Sequence, residues 1–202
     1  MGYSTDFTGK FVLNKKLDEE TYTFLKKLAT TRRVARNVGP EFGVEGEFYV
    51  DGKGSFGQET DKTVINCNQP PSTQPSLWLQ WVPTDDRLGI EWDGGEKFYE
   101  YVLWLKYIID KILAPKGYIL TGRVHFQGED TADFGYIVVV DNVVRLDHAN
   151  QVDDSDSETE DTYKIIPEPE SKAEAKPVVI SHKRKINWKG AQNGQSENRS
   201  LL

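Results

Sequence analysis

The sequence predicts an α+β fold in which two helices cover one face of an antiparallel sheet of about six strands. Several short segments alternate apolar and polar residues, which is typical of half-buried strands. Two longer segments repeat apolar residues at helical spacing. The segments follow the order β-α-β-β and then β-β-α-β-β. By analogy, a ferredoxin-like layout is the nearest comparison for this order.

A break in composition near Asn150 divides the chain into two parts. Nearly all aromatic and β-branched residues precede the break, so we expect one globular domain over residues 1–150 and a charged tail over residues 151–202. Residues 153–161 hold six acids in nine positions, too many charges to bury enough apolar surface to offset the entropy of ordering. The composition therefore predicts a disordered tail, which ends in a basic cluster at residues 182–185 and a lone Trp188.

Charge and cysteine content exclude several classes of protein. Residues 1–150 carry 22 acids and 17 bases, net −5, and residues 151–202 carry 10 acids and 8 bases, net −2. An acidic domain is not expected to coat nucleic acid. The single Cys67 allows no intrachain disulfide and no four-cysteine zinc site. The sequence has no apolar stretch of about 18 residues, the length that a membrane span requires. We therefore expect a cytoplasmic protein.

Patterning places the elements of the first half. Residues 7–13 form an apolar-rich strand, and the helix over about 18–36 begins at three acids and ends before Gly39-Pro40. Residues 44–50 alternate in polarity and predict a half-buried strand. Residues 51–57 predict a hairpin turn with a return strand. Residues 58–76 contain three prolines and predict a long loop without regular structure.

The second half predicts more strands around a stronger helix. Residues 77–82 and 88–92 form a hairpin whose apolar side chains are in phase. A wide apolar stripe over residues 98–112 predicts the second helix, which ends at Ala114-Pro115. Residues 118–126 alternate again, and 137–144 holds a strand, the turn Asp141-Asn142 and a short return strand. These strands complete the predicted sheet.

If both helices cover one face of the sheet, alternation sends polar and aromatic side chains to the other face. This open face and the proline-rich loop form the candidate binding surface; the alternative is an ordinary solvated face, which antiparallel sheets commonly have. The candidate binding residues are Glu45, Glu47, Tyr49, Pro71, Trp78, Gln80, Arg123, His125 and Gln127.

Catalytic and metal sites have weaker support in the sequence. His125 with Glu45 or Glu47 could form a general base with its orienting carboxylate, although a histidine on a strand's polar face is more often only exposed. Three carboxylates near a turn offer oxygen ligands for a divalent cation but do not match the EF-hand spacing; they are Glu129, Asp130 and Asp133. Phosphate-loop and serine-nucleophile motifs do not occur, so no cofactor and no catalytic residue are predicted.

Four segments together resemble a family of small uncharacterised α+β proteins from phages and bacteria. They are residues 44–50, 70–75, 92–98 and 127–130, and the resemblance spans roughly residues 1–145. It implies a viral or mobile-element setting, in which compact acidic proteins often act by occupying a host protein. The location would then be the host cell cytoplasm.

We therefore expect a non-catalytic interaction protein, an inhibitor or adaptor encoded by a virus or phage. It would bind a host or viral macromolecule, with a protein as the expected partner, through the open sheet face, the proline-rich loop and an electrostatic contact of the tail. One alternative is a small-ligand or nucleotide-binding protein or hydrolase that uses Glu45, Glu47 and His125. A second alternative is a virion or assembly component.

Overall fold

The computed structural model describes residues 2–50 and 61–148 and confirms the predicted α+β class. The helices are α1 (Glu19–Thr30) and α2 (Tyr101–Ile108), and α2 continues through a π-helical turn (Ile109–Leu113) and a 3-10 turn (Ala114–Lys116). The strands are β1 (Thr5–Thr8), β2 (Lys10–Leu13), β3 (Ala35–Arg36), β4 (Val64–Asn66), β5 (Trp81–Pro83), β6 (Gly89–Trp92), β7 (Leu120–Gly128), β8 (Phe134–Val140) and β9 (Val143–His148).

The main sheet is antiparallel, with the strand order β5-β6-β2-β7-β8-β9 and β1 also paired with β7. β1 and β2 both pair with β7 and are two parts of one strand that is interrupted at Gly9, where φ is 110°. If β1 and β2 are counted as one strand, the strands β2, β5, β6 and β7 and the two helices follow one another along the chain as β-α-β-β-α-β. Side by side in the sheet, these strands have the order β7-β2-β6-β5, that is, fourth, first, third and second in chain order. This is the ferredoxin-like layout, which β8 and β9 extend at one edge.

Both helices pack against the same face of this sheet. Leu25 and Leu28 of α1 and Leu105 and Ile108 of α2 have no exposed surface and belong to one apolar core. Aromatic rings form much of this core: Phe7, Phe11, Trp81 and Phe126 of the strands are buried, as is Phe98 just before α2. Because the core lies on one side only, the opposite face of the sheet stays uncovered within the described residues.

Asp18 fixes the start of α1. Its carboxylate accepts hydrogen bonds from the Thr21 backbone N–H at 2.6 Å and from the Tyr118 hydroxyl at 3.0 Å. Burial alone would raise the pKa of Asp18, but these hydrogen bonds outweigh it and hold the pKa below its usual value of 3.8. The carboxylate thus caps the helix and ties it to the segment that precedes β7.

The change of Asp18 to alanine is expected to lower the free energy of unfolding by about 1 kcal/mol at neutral pH, because the Thr21 N–H loses its cap. Since the folded-state pKa is depressed, the stabilising charge is present above pH 3.8 and is lost as the pH falls through the folded value. Urea denaturation at several pH values measures both effects. A variant that keeps the wild-type slope of stability against pH below 3.8 would contradict this assignment.

The predicted first helix is too long. α1 ends at Thr30, and Thr31 already has extended backbone angles. The following segment bonds to other parts of the chain, because the backbone N–H of Arg33 donates to Leu77 O and that of Ala35 donates to Gln69 O. Two β-branched threonines at the helix end favour this change. Arg32, Arg33 and Arg36, which the predicted helix would include, therefore lie beyond the end of α1, and Arg36 belongs to β3.

The prediction of a strand over residues 44–50 is wrong, because none of these residues has strand structure. Val44–Gly46 is a 3-10 turn, with positive φ at Glu45 and at Gly46, and Glu47 continues it in helical backbone geometry. Glycines at 43 and 46 permit this tight path. The predicted turn at residues 51–57 lies outside the described residues.

The loop predicted over residues 58–76 contains one short strand. β4 pairs with β3, in a two-stranded sheet separate from the main one, where Arg36 lies opposite Val64. Elsewhere the predicted strands exist with shifted ends: β5 is shorter than the predicted 77–82, and β8 begins before the predicted residue 137.

The predicted tail, residues 151–202, lies outside the described residues. No helix within residues 2–50 or 61–148 has the length and apolarity to cross a lipid bilayer.

Candidate functional site

The open face of the sheet is built by alternation along its strands. In β7, Leu120, Val124 and Phe126 enter the core, while Arg123 and His125 point to the opposite side. Gln127 shares that side, but its amide donates to the carbonyls of the β7–β8 turn, including Asp130 O at 3.1 Å. The predicted orientation of Arg123, His125 and Gln127 is confirmed.

Four side chains on β7 and β8 form an aromatic–cation cluster, which consists of Arg123, His125, Phe134 and Tyr136. The Arg123 guanidinium carbon lies 3.4 Å from the centroid of the Tyr136 ring. The His125 ring lies 5.2 Å from Tyr136 in an edge-to-face arrangement and 6.5 Å from Phe134. His125 and Tyr136 are directly opposite each other in the strand register. The cluster is therefore a preformed surface whose side chains hold one another in place.

A row of cations crosses the same face. Arg123 lies opposite Val138, which lies opposite Arg145 on the edge strand β9. The registers of β1 and β2 against β7 are continuous across Gly9, so Lys10 lies beside Arg123. Lys10, Arg123 and Arg145 are exposed and form no ion pair among the described residues. We call these three residues the cationic row.

Exposed aliphatic side chains border the cationic row on one side. Val12, Val140 and Val143 are 52%, 43% and 59% exposed. Val12 lies opposite Thr121, and Val140 lies opposite Val143, so the three follow one another across the sheet. The open face thus has an aromatic and cationic part beside an apolar part, a combination typical of protein-binding surfaces.

Glu47 does not lie on the open face, contrary to the prediction. It is 4% exposed and joins a buried polar group that we call the Arg33 network: Arg33, Glu47, Gln74 and Tyr107. The Arg33 guanidinium donates to Gln74 Oε1 at 3.2 Å, to Tyr49 O at 2.8 Å and to Glu47 O at 3.0 Å. The Glu47 carboxylate accepts from the hydroxyls of Thr73 and Tyr107. Burial raises the pKa of the Tyr107 hydroxyl, which keeps it a donor.

Glu45 and Tyr49 belong to the same side as the Arg33 network, so the prediction that they share the open face is wrong. Pro71 of the proline-rich loop lies on this side too. Glu45 Oε2 accepts from the backbone N–H of Ser72 at 2.5 Å. The Arg36 guanidinium lies 4.4 Å from the Tyr49 ring, and Pro71 is buried. Glu45 and Glu47 therefore anchor the proline-rich loop from the helix side of the molecule, where Tyr107 of α2 contacts it.

Trp78 and Gln80 precede β5 and belong to no strand of the open face. Gln80 is 8% exposed, accepts from Trp92 Nε1 at 3.1 Å and donates to Glu96 O at 3.0 Å. Trp78 is half-buried in the loop before the strand, where its carbonyl accepts from the Ser76 hydroxyl. The predicted alternation failed here because regular strand geometry begins only at Trp81.

The structure does not bring together the residues of the hydrolase alternative. Glu47 contacts α2 on the helix side of the sheet, whereas His125 lies on the open face, so Glu47 cannot orient His125. The Glu45 carboxylate accepts a hydrogen bond from the proline-rich loop on the helix side.

The weak metal candidates are used as structural acceptors. Glu129 accepts from Ser4 N, Asp133 from the Tyr3 hydroxyl and Asp130 from Ala132 N. In the described residues, no group of three or more potential ligands fits a metal ion.

Sequence reasoning missed Phe134, Tyr136 and Arg145 on the open face. The signal was present: Phe134, Tyr136 and Val138 alternate with Gly135, Ile137 and Val139 in one uninterrupted run. Phe134 and Tyr136 were missed because this strand was predicted to begin only at residue 137, whereas it begins at Phe134. Arg145 was missed because β9 was expected to stop at residue 144, whereas it continues to His148.

Comparison of the chain with family models, with curated proteins and with solved structures finds no significant match. The resemblance to a phage and bacterial family therefore stays a prediction.

Proposed function

We propose that the chain is a non-catalytic interaction protein that binds a partner protein through the open face of its sheet. The aromatic–cation cluster carries this proposal. Tyrosine and arginine are enriched among residues that contribute most to binding energy at protein interfaces. Because Arg123 already lies over Tyr136, little side-chain entropy remains to be lost when a partner docks.

The face also carries the two other features that a protein interface needs. Val12, Val140 and Val143 supply exposed apolar surface next to the cluster. Polar side chains surround it, among them Asp6, Glu91 and Asp147. These acids also argue against nucleic acid as the partner, since a phosphate backbone favours an uninterrupted basic surface.

The proposed surface is smaller than the one that the sequence predicted. The proline-rich loop is fixed on the helix side by Glu45 and Glu47, so it lies outside the proposed surface. An inhibitory role and a viral or phage origin stay predictions from the sequence.

Affinity purification with the full chain as bait tests the proposal. In extracts of cells that express the protein, the double change of Arg123 and Tyr136 to alanine is expected to reduce recovery of the partner by about tenfold or more, because interface residues of this kind contribute about 2 kcal/mol or more each. Quantitative mass spectrometry of the bound fraction measures the loss, and circular dichroism checks that the variant is folded.

A matched control removes the same residue types elsewhere. Tyr99 is 51% exposed beside α2, and Arg87 lies in the β5–β6 turn, where it pairs with Glu19. Changing both to alanine is expected to leave partner recovery unchanged. If the control loses the partner and the open-face variant keeps it, the recognition surface lies on the helix side and the proposal is wrong.

A further inference from the structure

We propose that the outer edge of β9 is a self-association site, where a second copy of this chain adds its own β9 in antiparallel orientation. β9 is the last strand of the main sheet and pairs only with β8 among the described strands. The site lies at the edge of the sheet and is separate from the aromatic–cation cluster. It therefore goes beyond the proposed function and does not depend on it.

The edge at β9 is longer and more regular than the opposite edge of the main sheet. β9 has six residues, contains no proline and pairs with β8 without a register shift. At the opposite edge, β5 has three residues, ends at Pro83 and contacts α1. Short length, proline and a covering helix protect an edge, whereas a regular edge is a template for another strand. The main sheet can therefore be extended at β9.

The two-residue turn Asp141-Asn142 determines which backbone groups of β9 are available. Its residues have φ values of 48° and 70°, which are typical of a type I′ turn. In such a hairpin the flanking residues, Val140 and Val143, form a hydrogen-bonded pair. Hydrogen-bonded and non-hydrogen-bonded pairs alternate along antiparallel strands, so every second residue directs its N–H and C=O away from β8. These residues are Val144, Leu146 and His148, and no backbone hydrogen bond from another described element reaches them.

One two-fold register uses all these groups and also matches the charges. An axis at residue 145 would place Arg145 opposite its own copy, and an axis at residue 147 would do the same for Asp147. Like charges directly opposite one another destabilise strand pairing. An axis at Leu146 places the outward groups of all three residues opposite one another. It also pairs Arg145 of each copy with Asp147 of the other.

The side chains are complementary on both sides of the sheet in this register. The two Arg145–Asp147 pairs occupy non-hydrogen-bonded positions, where opposing Cα atoms are about 4.5 Å apart and opposite charges favour pairing. Neither residue forms an ion pair among the described residues. On the helix side, Leu146 lies opposite the buried Ile137 but is still 36% exposed. At the axis it meets its own copy, which extends the apolar core across the interface.

This pairing places two open faces on one side of a continuous sheet. Directly opposite residues of antiparallel strands share a face, so the helices of both copies lie together on the other side. Five strand spacings, or about 24 Å, separate Arg123 of one copy from Arg123 of the other. Such a bivalent surface binds a repeated or dimeric partner more tightly than a single copy does.

Sedimentation equilibrium of the full chain tests the association. We expect the apparent mass to rise from one chain toward two with concentration, and to do so reversibly, because a single pair of strands buries less than about 1,200 Å². Arg145→Asp alone, or Asp147→Arg alone, is expected to weaken dimerisation by about tenfold or more. Each change replaces two attractive pairs with two repulsive ones.

An equimolar mixture of these two variants restores the charge match. The acidic pair of one chain faces the basic pair of the other in the register centred at Leu146, so we expect heterodimers within about threefold of the original strength. The matched controls are Lys106→Asp and Asp110→Arg, which make the same changes in net charge at exposed positions on the helix side. These controls should dimerise as the unchanged chain does.

Cysteine cross-linking tests the register independently. In a chain that carries Cys67→Ser, Leu146→Cys is expected to form a disulfide-linked dimer under mild oxidation, because the two Cα atoms at the axis are about 5.5 Å apart. Val143→Cys lies on the same strand and is the control. In this register its two copies are about 20 Å apart, so no disulfide should form.

Three results would overturn the inference. They are a single-chain mass at every concentration, a dimer that both single charge reversals leave unchanged, and cross-linking at residue 143 as efficient as at 146. Circular dichroism verifies that each variant is folded. No partner protein is needed for these measurements. A chain that stays monomeric yet captures its partner through Arg123 and Tyr136 would contradict self-association and leave the proposed function intact.

Discussion

The change of Arg33 to methionine is expected to lower the free energy of unfolding by about 3–5 kcal/mol. Arg33 is 1% exposed, and its guanidinium supplies donors to Gln74 Oε1, Tyr49 O and Glu47 O. Methionine fills a similar volume but donates no hydrogen bond. Three buried acceptors would lose a donor, at a cost of about 1–3 kcal/mol each before the surroundings relax.

The adjacent arginine provides the control. Arg32 is half-exposed, and its guanidinium donates a long hydrogen bond of 3.4 Å to Asn68 Oδ1. Changing Arg32 to methionine is expected to cost about 0.5 kcal/mol, as for most surface substitutions. Urea denaturation of both variants measures the difference. Equal midpoints for the two variants would show that the Arg33 network does not hold the loops on the helix side.

The change of Trp81 to alanine is expected to cost about 3–5 kcal/mol, as for other large aromatic residues in cores. Trp81 is fully buried, with the rings of Phe7, Phe11 and Phe98 at 5.2, 5.6 and 5.4 Å. Its indole N–H also donates to Tyr101 O at 2.8 Å. The substitution therefore opens a cavity among aromatic rings and leaves a carbonyl without its donor.

Two further variants separate these contributions. Trp81→Phe keeps an aromatic ring and removes the hydrogen bond, so we expect a cost of about 1–3 kcal/mol. Trp78→Ala removes a half-buried indole from the preceding loop and should cost about 1 kcal/mol. Thermal unfolding followed by circular dichroism compares the three. If Trp78→Ala is as damaging as Trp81→Ala, the aromatic core is not centred where the structure has it.

The fold class could be predicted because burial imposes regular periods on the sequence. Leu25 and Leu28 are spaced for one helix face, and Leu120, Val124 and Phe126 for one strand face. The ends of the helices and strands were harder to predict, since they depend on contacts with residues distant in sequence. α1 stops at Thr30 because the next residues bond to Leu77 and Gln69, and nothing near Thr30 in the sequence reveals those partners.

The candidate site could be predicted only where strands are regular. Arg123 and His125 were placed correctly because β7 alternates without interruption. Glu45 and Glu47 were misplaced because alternation over a few residues also occurs in turns, and here the carboxylates are fixed by Ser72 and Thr73. A polar residue that alternates with apolar ones can be a buried hydrogen-bonding partner, and only tertiary structure distinguishes the two cases.

The Arg33 network and the open face have complementary roles in this account. The network closes the helix side, where Glu47, Gln74 and Tyr107 satisfy one another. The open face retains side chains that no other described element covers. Recognition is therefore expected on the sheet side, and substitutions on the helix side should change stability more than binding.

Side-chain footprinting of the full chain, alone and bound to its partner, shows whether the open face is the recognition surface. Hydroxyl-radical labelling reports the exposure of individual aromatic and aliphatic side chains. We predict strong protection of Phe134, Tyr136 and Val143 in the complex, with unchanged labelling of Tyr99 and Leu103 on the helix side. Protection of Tyr99 and Leu103 without protection of the open face would contradict it.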